Sequence, residues 1–94
     1  MYATVRRYEG VTDAAEAARQ VAEGFVPLLK GMPGFVAYYW VDAGSGVMAS
    51  TSVFEDRAGA EGSTEKAADF VKANMAHLLP NPPQVTAGEV VASG

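Results

Sequence analysis

Between Phe35 and Val41, and again between Val47 and Phe54, the chain alternates its side chains without one charge on either side. In the first segment Phe35, Ala37, Tyr39 and Val41 point one way, and Val36, Tyr38 and Trp40 the other. In the second, Val47, Ala49, Thr51 and Val53 oppose Met48, Ser50, Ser52 and Phe54. Alternation is the mark of strands, and an antiparallel sheet that meets water keeps one face polar. Neither segment does so. The sheet they build has to be covered on both faces, and that requirement constrains the rest of the chain.

Two helical segments are available as covers. Asp13 followed by Glu16 fits a helix start, and Ala14, Ala18, Val21, Ala22, Phe25, Leu28 and Leu29 then form a stripe opposite Glu16, Arg19, Gln20, Glu23 and Lys30. Pro27 predicts a kink in the last turns, and Gly31 with Pro33-Gly34 ends the segment. Farther on, Asp56 to Gly62 reads as a short helical turn. Ser63 or Thr64 is expected to cap a second long helix with the stripe Thr64, Ala67, Ala68, Val71, Met75, Leu78 and Leu79, ended by Pro80-Asn81-Pro82-Pro83. Residues 2–8 and 84–92 read as a first and a last strand, and Ala43-Gly44-Ser45-Gly46 as a hairpin link.

The order is β-α-β-β-α-β, an α+β, ferredoxin-like arrangement with a four-stranded antiparallel sheet and two helices on one face. The 94 residues suit a single domain, 1–94. Two helices cover one sheet face, so the other is expected to meet a second copy across a two-fold axis, giving a homodimer through the sheet face.

Composition removes several functions. With 7 Lys+Arg against 11 Asp+Glu, a net charge of −4 and no basic stripe, nucleic-acid binding is disfavoured. No apolar run reaches the roughly 18 residues of a membrane span, which points to a cytoplasmic protein. The chain has no cysteine and one histidine, and Glu61, Glu65 and Asp69 read as a solvated helix side, so no metal site is expected. Gly44-Ser45-Gly46 precedes a strand, and Gly59–Thr64 lacks a phosphate-loop lysine. No Gly-x-Ser-x-Gly elbow presents a serine nucleophile.

The run Pro33-Gly34-Phe35-Val36-Ala37-Tyr38-Tyr39, the hairpin, Ser52-Val53-Phe54-Glu55-Asp56 leading into Ala58 and Ala60, and the terminal strand together resemble the antibiotic biosynthesis monooxygenase (ABM) group of dimeric α+β barrel proteins. The resemblance implies a tight homodimer with a pocket between sheet and helices in each protomer. It also implies oxidation of polycyclic aromatic phenols to quinones by O₂ without a metal, flavin or other cofactor, and a related branch degrades haem. Where the polyketide oxygenases carry an Asn and a Trp on the third strand, this chain has Ser50 and Phe54, and Ala60 stands where a Tyr is expected. His77 is similar in place to the haem-ligating His of the other branch.

The residues themselves outline an aromatic pocket. Tyr38 and Trp40 share one strand face, Ser50, Ser52 and Phe54 another, and Phe70, Asn74 and His77 recur at helical spacing. Such a wall suits a small hydrophobic or aromatic ligand, with His77 as base towards a phenol and Asn74 as donor to a developing oxyanion. Packing in the core and at a dimer contact, with His77 exposed at a helix end, is the competing reading of the same residues. Arg6 and Arg7 point to opposite faces: one is expected to pair with Glu89 or Asp42, the other to meet an anionic group at a pocket mouth. The function expected is that of a small-molecule-binding dimeric barrel protein, for which the resemblance implies cofactor-independent monooxygenase activity on an aromatic or polyketide-like metabolite; the alternative is a non-catalytic ligand-binding or stress-related homodimeric barrel protein.

Overall fold

The computed structural model describes all residues, Met1–Gly94. Strand β1 (Tyr2–Tyr8) leads into helix α1 (Ala14–Gln20), a π-helical turn (Val21–Phe25) and helix α2 (Val26–Lys30), which run on as one rod over 14–30. Strands β2 (Phe35–Gly44) and β3 (Val47–Phe54) follow. Helix α3 (Arg57–Phe70) then passes into a second π turn (Val71–Met75), and β4 (Gln84–Glu89) closes the chain. The sheet order is β2-β3-β1-β4 with every pair antiparallel, the ferredoxin-like arrangement expected from the element order.

Local chemistry accounts for the boundaries. Asp13 caps the first helix as its spacing predicts, its Oδ1 accepting from the Glu16 N–H at 3.1 Å. Pro27 does not end the helix. The turn before it widens, so that Val26 N–H reaches the Val21 carbonyl, and the helix runs on to Lys30. The second helix starts earlier than Ser63 or Thr64. Asp56 is its cap, accepting from the Gly59 N–H at 2.8 Å, and the expected short turn is simply its first two turns. Ser63 and Thr64 lie inside it and donate back to the Ala60 carbonyl at 2.7 and 3.2 Å. The hairpin turns on Ser45 (φ 54°) and Gly46 (φ 75°), both in the left-handed region that a type I′ turn requires. β4 ends at Glu89 and not at Ala92; beyond it Val90 N–H bonds the Met1 carbonyl at 2.9 Å.

The register decides which face meets the helices. Across the sheet Trp40, Ser50, Arg6 and Val85 form one row, and Tyr38, Ser52, Thr4 and Ala87 the next. The β1, β2 and β3 members of these rows, with Tyr8, Met48 and Phe54, lie under the helices, where Ala17, Val21, Phe25, Leu29, Ala67, Met75, Leu78 and Leu79 are buried, whereas Val85 and Ala87 on β4 stay exposed. A bulge at Val36 puts Phe35 opposite Phe54 and Ala37 opposite Val53, so Phe35 turns inward and away from the face shared by Ala37, Tyr39 and Val41. Its ring packs edge-on to Phe54 with centroids 5.7 Å apart.

The opposite sheet face carries Ala3, Val5, Ala37, Tyr39, Val41, Val47, Ala49, Thr51 and Val53, with nothing packed on it. Tyr39 is 65% exposed there and Val41 50%. The helices cover one face only. No helix is long and apolar enough to cross a membrane.

Candidate functional site

Under the helices, the small side chains of Ser50 and Thr4 leave room on the central strands for large neighbours. Five aromatic rings use it. Tyr8 lies 5.6 Å from Trp40, and Phe25 lies 5.5 Å from both Tyr38 and Phe70, centroid to centroid. They wall a chamber closed by Val21 from the first π turn and by Val71 and Met75 from the second. About 20 Å³ of it is open to the centre of a water molecule, little more than one water occupies. Beside it, between α3, the Pro80–Pro83 loop and β4, lies a cleft of about 350 Å³ on the same measure. Arg6, Tyr8, Ala67, Val71 and Leu79 belong to both walls, so the cleft abuts the chamber.

Arg6 is the one charged group that reaches the chamber. Strand alternation forces it inward between Val5 and Arg7, and it is only 4% exposed. Its Nη2 donates to Thr64 Oγ1 at 2.7 Å. The Thr64 hydroxyl in turn donates to the Ala60 carbonyl, which aims its lone pair at the guanidinium. Arg7, on the outer face, pairs with Glu9 at 2.6 Å. Arg6 has no carboxylate within 4 Å: Arg7, Arg19 and Arg57 account for every ion pair in the molecule, and neither Glu89 nor Asp42 is a partner. Burial pushes the Tyr8 phenol above its ordinary pKa, with Arg6 pulling the other way. Tyr38 is pushed up to about 12, chiefly by burial, against the opposing pull of Ser50 and Arg6. Both are neutral hydroxyls at physiological pH. Trp40 Nε1–H and Ser52 Oγ are buried without a hydrogen-bond partner.

Of the residues singled out from sequence, Tyr38, Trp40, Ser50 and Phe70 line the chamber. Ser52 and Phe54 share its sheet face but lie outside its lining, Phe54 packing under the first turn of α3 where Gly59 leaves space. Asn74 and His77 line neither cavity and are exposed. The Asn74 Nδ2 donates to the Phe70 carbonyl at 3.2 Å, and the His77 carbonyl accepts from Thr12 Oγ1 at 3.0 Å. The cause is the second π turn. At 100° per residue Asn74 and His77 return to the Phe70 face, but the wide turn carries one extra residue and brings Met75 and Leu78 there instead. Of the two β1 arginines it is Arg6 that reaches the pocket, and Tyr8, which no motif marks, lines it as well; the inward alternation of β1 signals both once the covered face is known. No three His, Asp or Glu side chains converge anywhere.

The geometry has counterparts among solved structures. A protein of unknown function from Nitrosomonas europaea superposes with a TM-score of 0.84 at 26% identity, covering 99% of this chain and 91% of that one. A monooxygenase of Streptomyces coelicolor, solved with nanaomycin D, superposes at 0.70 with 16% identity over 98% of this chain and 92% of the other. A chain named antibiotic biosynthesis monooxygenase gives 0.72 at 18% identity, over 98% of this chain and 100% of its own. No family model matches the chain, and no curated protein does. The molecule is thus a ferredoxin-like α+β protein. Over nearly its whole length it has the fold of the antibiotic biosynthesis monooxygenases.

Proposed function

We propose that this chain binds a flat, hydrophobic, aromatic-class small molecule in the cleft and chamber, and that it does so as a homodimer joined through the bare sheet face. The aromatic wall carries the reading: five rings from the sheet and both helices converge on a space next to an open cleft of ligand size. The outer face supports the dimer. It is mostly apolar, with Arg7 its one charged side chain, and no element packs on it; a stable interface needs about 800 Å² per partner, which a four-stranded face can supply.

The test of binding uses the sole tryptophan, which lies in the chamber wall. Flat aromatics are expected to quench Trp40 fluorescence along a saturating curve, and to raise the unfolding temperature as concentration rises. Quenching that stays linear, with no thermal shift, overturns the proposal.

A second reading, cofactor-free oxygenation of a phenol, is favoured by the fold shared with the monooxygenase solved with nanaomycin D. Its signature is consumption of an anthrone-like phenol with O₂ uptake in metal-free buffer. Because His77 and Asn74 lie off the lining, the groups that would touch such a substrate are Arg6, Tyr8, Tyr38, Trp40 and Ser50. Arg6→Met is therefore expected to slow uptake far more than His77→Ala.

A further inference from the structure

We infer that the site selects ligands bearing an oxyanion, with Arg6 as the receptor for that charge. This deepens the ligand-binding reading above and rests on it. Removing a charge from water without a counter-charge is expensive, and buried cations are ordinarily paired. Arg6 has one hydrogen bond, to a neutral hydroxyl, and no carboxylate near it. The neighbouring phenols, Tyr8 and Tyr38, keep their protons at neutral pH and supply no negative charge. A guanidinium carries five N–H donors in a planar fork suited to a carboxylate or phenolate, and four of them find no protein acceptor. Trp40, a residue of the chamber wall, has its Nε1–H buried without a partner. The site thus holds unpaired N–H donors and no anionic acceptor.

The distribution of charge points the same way. The chain has 11 acidic and 7 basic residues, yet the cleft lining includes Arg6 and Lys72 and no acidic residue, and the chamber lining likewise includes none. With a net charge of −4, the molecule as a whole repels anions. A preference for an anion therefore has to come from the site itself.

The probes are naphthoate and its neutral isostere naphthamide, which match in shape and differ in charge. Each is titrated at neutral pH and physiological salt while following the single indole N–H cross-peak of Trp40 in a nitrogen–proton correlation spectrum. Naphthoate is expected to bind about tenfold or more tighter than naphthamide. Arg6→Met should abolish the difference, and Arg6→Lys should restore part of it. Wild-type protein alone decides the main point, so a poorly folding variant does not remove the test. Equal affinity for the two probes overturns the oxyanion inference and leaves ligand binding standing. A cross-peak unmoved by either probe overturns both.

Discussion

At the scale of single residues, Gly24 is where helix packing is tightest. A Cβ at this position would lie 2.7 Å from Cζ of Phe70, so the ring that helps wall the chamber occupies the space a side chain would need. Gly24→Ala is expected to cost about 1–3 kcal/mol through overpacking. In a Phe70→Leu background the same change should stabilise by up to about 1 kcal/mol, the ordinary helix advantage of alanine. Urea unfolding of the four proteins checks the change of sign. Tyr38 makes a prediction in pH. Its phenol titrates near pH 10 when unfolded and at about 12 when folded. The unfolded chain therefore loses this proton first. The stability from the buried neutral phenol is complete below about pH 10 and drains away as pH climbs towards 12. The stability of wild type relative to Tyr38→Phe should fall over that interval, measured by denaturation at stepped pH. A constant difference would mean that the phenol is not shielded from water.

At the scale of elements, α3 depends on its cap. Asp56 holds the Gly59 N–H, and nothing else at that end does so. Asp56→Ala is expected to lower stability by about 1 kcal/mol in urea unfolding, whereas Ser63→Ala, inside the helix, should leave its start in place. This end of α3 also shows how the sequence can mislead. Asp56, Ser63 and Thr64 are all good capping types, and the glycines at 59 and 62 weaken the helical pattern between them. Only packing of the first turn on Phe54 selects Asp56. The order of strands and helices was legible because alternation, helical stripes and the proline-rich stop after Leu79 are local signals. The bulge at Val36, which turns Phe35 inward, and the π turns, which rotate Asn74 and His77 outward, are not. Each inserts one residue into a periodic element without leaving a mark in its composition. Tyr38 and Trp40 could be grouped from sequence because both lie beyond the bulge in unbroken alternation, Ser50 because β3 carries no bulge, and Phe70 because it precedes the second π turn, while the catalytic pair expected beyond that turn does not face the chamber.

At the scale of the whole molecule, the proposed pairing through the bare sheet face makes a prediction in solution. Sedimentation at micromolar concentration should report a particle near twice the chain's 9.8 kDa. Tyr39→Arg, which puts a charge at the most exposed aromatic of that face, should shift it towards the single-chain mass. A wild-type particle at the single-chain mass would overturn the proposed pairing. The rims of the sheet bear on where such association stops. Along β2 the ladder is interrupted near both ends, at Val36 and Ala43, and β4 offers only six residues. An irregular rim on one side and a short one on the other give an incoming strand little to template on. Under the proposed pairing, copies that meet by their flat sides stop at a closed pair, and concentrated protein should stay free of the cross-β fibres to which an equally greasy, straight-edged sheet would be prone.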